Sequence, residues 1–155
     1  MEHLFSLFYE SSGICTDSRN ILRDSLFISL KGENFNGNNF AKQAIVKGAK
    51  YAIVDEEDKA NNETIFYVKN GLHYLQKLAN YHRMRYNIPI IGITGSNGKT
   101  STKELIQAIL SMEFRVLSTK GNQNNHIGVP LTLLKLNENH EIAVVEMGAN
   151  QPNDI

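Results

Sequence analysis

The sequence predicts an α/β protein, in which a small mixed α/β unit precedes the start of a doubly wound parallel sheet. Three observations predict it. Short apolar runs alternate with helix-period stretches from residue 25 to residue 146. A glycine-rich segment lies between the apolar run 89–94 and a helical stretch beginning near residue 99. From residue 89 onward the order is strand, helix, strand, helix, strand, the pattern of a parallel sheet with crossover helices.

The elements follow in order. Residues 25–31 (SLFISLK) read as a strand ending at Gly32, and 34–39 as a polar loop. Residues 39–48 read as a helix with Phe40, Ala41, Ala44 and Ile45 on one side and Gly48 at its end. Residues 51–54 and 64–68 are short strands, and 72–86 place Leu72, Leu75, Leu78, Ala79 and His82 at helical spacing. Asn87-Ile88-Pro89 marks a change of unit. The run 89–94 (PIIGIT) is apolar on both faces, as a buried parallel strand is. A helix is expected over 99–112, a strand over 114–118, a short helix over 129–136 and a strand over 142–146, with Pro130 in the first helical turn. The expected division is therefore 1–86 and 87–155. Three strands are few for a doubly wound sheet, so the second unit is expected to be incomplete.

Composition excludes several classes. Lys+Arg and Asp+Glu both number 16 in 155 residues, so no broad field draws the chain to nucleic acid or to an anionic membrane. Any phosphate binding must be local. The single cysteine, Cys15, permits no intrachain disulfide and fits a reducing compartment. No run approaches the roughly 20 apolar residues of a membrane span, and the first 14 residues lack the basic segment of a signal peptide. A cytoplasmic location is expected.

The sharpest motif is Thr94-Gly95-Ser96-Asn97-Gly98-Lys99-Thr100-Ser101, placed between strand and helix where a phosphate-binding P-loop must sit. Glycines let backbone N–H groups close around phosphate oxygens, and the following helix offers roughly half a positive charge at its N-terminus. Lys99 is placed to reach the β- and γ-phosphates of ATP, and the Thr100 hydroxyl to hold Mg²⁺. The general Walker pattern places a glycine where Ile93 stands, so the loop departs from it. At average residue usage Gly-x-x-Gly-Lys-Ser/Thr is expected in under about 1% of chains this long, which favours a phosphate site over coincidence.

Glu146 ends the apolar run Ile142–Val145, where a carboxylate at a parallel-strand C-terminus faces the ligand crevice. It reads either as a Mg²⁺ ligand of Walker-B kind or as an ordinary strand-end glutamate. The loop Gly121-Asn122-Gln123-Asn124-Asn125-His126 reads either as amides that orient a polar ligand or as a plain turn. Thr16-Asp17-Ser18-Arg19 reads as an anion or sugar contact, or as an Asx turn.

Together these segments resemble the Mur ligase family. Gly92 to Thr100 is similar to that family's own P-loop, which accounts for the departure at Ile93. The runs Thr16–Arg19, Leu26–Gly32 and Asn36–Phe40 look like the UDP-binding domain of its MurE- and MurF-type members. Those members usually show Asp-Gly-His before the aromatic, where this chain has Asn36-Gly37-Asn38. The segments Lys120–Leu134 and Glu146-Met147-Gly148-Ala149-Asn150 point to the MurF branch, and the Thr-Thr-Pro stretch of MurE-type members is missing.

The resemblance implies an ATP-dependent amide-bond-forming ligase of peptidoglycan precursor synthesis, with ATP and Mg²⁺ as cofactors. Its substrates would be UDP-N-acetylmuramoyl-tripeptide and D-Ala-D-Ala. ATP would phosphorylate the tripeptide carboxylate, and the D-Ala-D-Ala amine would displace phosphate from the acyl phosphate. Lys99 and Glu146 would be catalytic, and Thr94 to Ser101 would bind ATP. Thr100 and Glu146 would hold Mg²⁺, and Ser18, Arg19, Asn122, Asn124 and Asn125 would bind the UDP precursor. Residues 1–86 would be the UDP-precursor domain and 87–155 the first part of the ATP domain, in a full-length enzyme expected to be monomeric. The family's modified lysine, metal-binding histidine and C-terminal domain fall outside these residues, so the chain alone is expected not to ligate. Alternatives are a MurE-type ligase, a MurF module fused to an alanine racemase, a non-catalytic UDP-precursor-binding module, and another P-loop NTPase. The Asn-Lys-x-Asp motif of a GTPase is not present.

Overall fold

A computed structural model describes residues 2–148. The chain divides into two compact units, Met1–Leu75 and Gln76–Ile155.

The first unit opens with a short helix α1 (Ser6–Tyr9) and carries β1 (Ile14–Cys15), β2 (Leu26–Ile28), β3 (Lys31–Gly32), β4 (Phe35–Asn36), α2 (Ala41–Val46), β5 (Tyr51–Val54) and β6 (Ile65–Tyr67). Strands β1-β2-β5-β6 form a four-stranded sheet in that order, every pair parallel. The β-branched and aromatic residues of β2 and β5 suit a pleat covered on both faces. Phe27, Ala52 and Val54 point to one side, where Ala41 and Ala44 of α2, Cys15 and Ile65 complete a core. Leu26, Ile28 and Ile53 alternate to the other side and are fully buried. Each such side chain contributes about 1.5–3 kcal/mol by leaving water.

The expected strand 25–31 is shorter than its apolar run. Gly37 N–H donates to the Leu30 carbonyl at 3.0 Å, and the chain turns there into the antiparallel hairpin β3–β4. The expected loop 34–39 holds β4 and a tight 3₁₀ turn over Gly37–Phe40, fixed by the Asn36 side chain accepting from Asn38 N–H at 3.1 Å.

A thirteen-residue helix α3 (Gly71–Arg83) follows, and the division between the units falls within it. In the first unit, its Tyr74 is buried, donates from its hydroxyl to the Leu4 carbonyl at 2.9 Å and meets the Phe5 ring at 5.6 Å.

The second unit contains β7 (Ile90–Ile93), α4 (Lys99–Leu110), β8 (Val116–Ser118), α5 (Gly128–Leu133) and β9 (Ile142–Glu146). Its sheet has the order β7-β9-β8, all parallel, with Ile93 opposite Glu146 and Ser118 opposite Val144. Leu117, Leu136, Ala143 and Val145 form its core, flanked by Ile88, Ile90, Val129 and Leu133. The central strand β9 thus ends beside the end of β7, and both deliver their C-termini to one edge. Helix α4 carries Leu105, Ile109 and Met112 beyond it on an exposed face, while its one buried residue is Lys103. No helix among the described residues is long and apolar enough to cross a membrane.

Candidate functional site

The glycine-rich loop leaves β7 at Ile93 and enters α4 at Lys99. Gly98 is the N-cap of α4 in the left-handed conformation (φ 76°), a geometry that a β-carbon disfavours. Thr94 to Gly98 are exposed. The Lys99 ammonium reaches back across the loop to the Gly95 carbonyl at 2.5 Å. Backbone amides, a helix N-terminus and an ammonium therefore converge on one small exposed surface, a combination that suits a polyphosphate.

Glu146 closes this surface from the sheet side. It is 1% exposed. Its Oε1 accepts from Thr100 Oγ1 at 3.2 Å and from Asn124 Nδ2 at 2.7 Å. Its N–H donates to Thr119 Oγ1 at 3.0 Å. Its Oε2 is buried and has no hydrogen-bond partner among the described residues. Buried carboxylate oxygens are ordinarily satisfied, so an orphan beside a threonine hydroxyl is the donor chemistry that a hard divalent cation uses. Among the described residues no group of three or more His, Cys, Asp or Glu gathers to hold a metal, here or elsewhere.

The three asparagines of the 121–126 loop have different surroundings. Asn124 binds Glu146, and its carbonyl accepts from Gly148 N–H at 2.7 Å. Asn125 turns its Oδ1 onto the N–H groups of Ile127 and Gly128 at 3.1 and 2.8 Å, so that oxygen serves the turn leading into α5 and the amide nitrogen is left for a ligand. Asn122 is exposed. A cleft of about 220 Å³ lies against this loop, lined by Asn124, Asn125, His126, Gln76, Met147 and Gly148. Ala149 and Asn150 of the Glu146 segment lie outside the described residues.

In the first unit, Thr16 to Arg19 line a second cleft of about 500 Å³ together with Phe35 and Phe40. The two rings stack at 5.3 Å with 8° between their planes. Asp17 grips Arg19 with both oxygens, at 2.9 Å to Nε and 2.8 Å to Nη2. The Arg19 hydrogen bonds hold the Asp17 carboxyl at about 2, well below its ordinary value. Ser18 is buried, and its carbonyl accepts from Lys47 Nζ at 2.8 Å. Asn38 is turned inward. It donates to Asp55 Oδ1 at 2.7 Å and accepts from Asp55 N–H at 2.9 Å, which ties the hairpin to the end of β5. Burial pushes the Asp55 carboxyl up, but hydrogen bonds from Asn38, Lys31 and the Gly71 N–H outweigh it, and the net displacement is downward.

Two family models match. That of the Mur ligase family catalytic domain covers residues 10–83, and that of the Mur ligase middle domain covers residues 93–154. The chain belongs to the Mur ligase family. Among other Mur ligases, the UDP-N-acetylmuramoyl-tripeptide–D-alanyl-D-alanine ligase of Synechocystis sp. is 46% identical over 138 residues, 88% of this chain and 30% of that protein. A crystal structure of MurF from Acinetobacter baumannii superposes with a TM-score of 0.85 at 34% identity, covering 98% of this chain and 36% of that one. The MurF ligase of Thermotoga maritima, solved in complex with ADP, gives a TM-score of 0.85 at 33% identity, covering 96% of this chain and 34% of that one. The chain thus spans about a third of the length of these relatives. The glycine-rich loop lies in the segment matched to the Mur ligase middle domain, and the Asp17–Arg19 turn in that matched to the catalytic domain.

Sequence reasoning missed the part played by five residues. Asp17 reads in the sequence as part of an anion or sugar contact or of a turn, and not as the clamp on Arg19, although the i, i+2 spacing is visible. Phe35 and Phe40 were not read as a stacked pair. Thr119 and Lys103 carry no motif signal, because each finds its partner only in the folded sheet.

Proposed function

We propose that this chain forms the UDP-precursor-binding domain and the first part of the ATP-binding domain of a ligase. That ligase joins D-Ala-D-Ala to UDP-N-acetylmuramoyl-tripeptide in the cytoplasm. Residues 1–86 carry the precursor and 87–155 the nucleotide. The observation that carries this reading is the joining of Thr100 and Asn124 to a buried Glu146 beside the phosphate loop. The printed names of the relatives in Synechocystis, A. baumannii and T. maritima support the choice of reaction.

In the reaction so assigned, a tripeptide carboxylate oxygen attacks the γ-phosphorus of ATP and ADP leaves. The D-Ala-D-Ala nitrogen then attacks the acyl carbon, loses a proton, and inorganic phosphate departs. The loop amides and Lys99 bind the polyphosphate and oppose the charge on the transferring group. Thr100 and Glu146 would hold Mg²⁺, which would supply further charge neutralisation. Asn124 fixes the Glu146 carboxylate by occupying Oε1. In the other unit the Phe35–Phe40 stack offers a flat apolar wall to a uracil ring, and Ser18 and the clamped Arg19 offer polar edges to the rest of the nucleotide.

Titration calorimetry of the purified chain tests this. UDP-N-acetylmuramoyl-tripeptide and ADP with Mg²⁺ should each bind once and independently. Binding of neither, or a preference for guanine nucleotides, sinks the proposal. Phosphate release with tripeptide precursor, D-Ala-D-Ala and ATP is expected from a protein of full family length and not from these 155 residues.

A further inference from the structure

Lys103 is 1% exposed, although α4 turns several apolar side chains outward. A lysine ammonium is retained in such a place only when hydrogen bonds and a counter-charge compensate for lost water. Its Nζ lies 2.6 Å from the Thr119 carbonyl and 2.6 Å from Glu104 Oε1. Thr119 directly follows β8 and is tied to β9 twice more. Its N–H donates to the Val144 carbonyl at 3.1 Å, and its Oγ1 accepts from Glu146 N–H at 3.0 Å. Lys103 stands one helical turn beyond Thr100, on the same side of α4. One helix therefore reaches Glu146 by two routes: Thr100 touches its carboxylate, and Lys103 reaches its backbone through Thr119.

We propose that Lys103 is a positioning residue for Glu146: its ammonium holds Thr119, and Thr119 sets where β9 delivers the carboxylate relative to the phosphate loop. The inference rests on the reading of Thr100 and Glu146 as the Mg²⁺–nucleotide site, but its geometry can be tested without nucleotide. The Lys103 link explains why a charge is kept in the second unit's interior when a leucine or methionine would fill the space. A methionine there would leave the Thr119 carbonyl without this donor and release the end of β8.

The experiment has two readouts on the 155-residue chain. The first is amide hydrogen exchange of Glu146, compared with Ala143 in the same strand, whose N–H donates to the Pro89 carbonyl. Lys103→Met should lower Glu146 protection at least about tenfold relative to Ala143. Thr119→Val, which removes the side-chain acceptor, should do the same, and Thr119→Ser should restore it. Equal loss at both amides, or loss at neither, overturns the proposal, since a plain packing role predicts one of those. If Lys103→Met does not fold, the Thr119→Val and Thr119→Ser pair decides the Thr119 link and Glu104→Gln, which weakens the hold on the ammonium, decides the Lys103 link by the same comparison. The second readout is ADP affinity with Mg²⁺ against EDTA. The Mg²⁺-dependent gain should fall about tenfold in Lys103→Met while affinity in EDTA stays unchanged. Wild-type chain without any Mg²⁺-dependent gain defeats the metal-site reading; wild-type gain that Lys103→Met leaves intact defeats the role of Lys103.

Discussion

Thr100 Oγ1 donates to Glu146 Oε1 across 3.2 Å, joining the first turn of the phosphate-loop helix to the last residue of the central strand. The two residues lie 46 positions apart in sequence. Their meeting follows from the parallel register that sets Ile93 opposite Glu146. Replacing either group should act on the metal-dependent part of nucleotide binding. Glu146→Gln and Thr100→Val are each expected to weaken ADP affinity about tenfold in Mg²⁺, roughly 1.4 kcal/mol. Affinity in EDTA should stay unchanged, and calorimetry in the two buffers is the check.

The aromatic cleft of the first unit should answer to different substitutions. Phe40→Ala removes one ring of the stack, and Arg19→Ala removes the clamped guanidinium. Each is expected to weaken UDP binding at least about tenfold, given the roughly 1–3 kcal/mol that one stacked base ring contributes. Neither should move ADP affinity.

Asp17 gives a titration with a definite sign. Its carboxyl is held at about 2 in the fold against an ordinary 3.8. A carboxylate with a depressed value favours the folded state above its unfolded value, and that preference is lost as pH falls from 3.8 through about 2. A carbon-detected NMR titration should find the Asp17 midpoint near 2. Arg19→Ala should return it toward the ordinary range.

His82 has a consequence of the same sign at higher pH. It is 3% exposed, and its Nε2–H donates to the Leu136 carbonyl at 2.9 Å. Burial pushes its titration below the usual 6.5; the Leu136 bond opposes this in part, and the Arg85 charge adds to it. The unfolded chain takes up this proton first, so stability should decline as pH falls below 6.5. Urea melts between pH 7.5 and 5 should register the decline, and His82→Gln should flatten it.

Gly128 opens α5 with its backbone pressed on the Asn-rich loop. A β-carbon there would sit 2.5 Å from the Gln123 carbonyl carbon, a backbone atom that cannot swing aside. Gly128→Ala should cost about 1–3 kcal/mol as an overpacked site. Asn125→Ala, which removes only the side-chain acceptor of the Ile127 and Gly128 N–H groups, should cost about 1 kcal/mol. Thermal melts of the two variants give the ranking.

Much of the second unit was legible because its information is local. The run Ile142–Val145 is apolar at every position, so strand β9 and the placement of Glu146 at its end follow from the sequence alone. The glycine-rich segment between an apolar run and a helical stretch likewise predicts the passage from β7 into α4 at Lys99. The strand at Ile14–Cys15 was not legible, since two residues carry no periodicity and only the ladder with β2 defines them. Asn38 looked like loop polarity, yet its partner Asp55 lies 17 residues away. Lys103 lies inside an expected helix, and its partner Thr119 lies 16 residues away. What escaped the sequence was mostly polar pairing between elements, which no local pattern encodes.

The buried, unpartnered Oε2 of Glu146 also bears on discrimination among ions. Glu146 and Thr100 present carboxylate and hydroxyl oxygen at this point. Such a pair ranks ions by hardness and hydration, favouring magnesium and manganese and giving thiophilic zinc or cadmium little to hold. Selectivity against softer transition ions would then be written in the oxygen chemistry that the strand end offers.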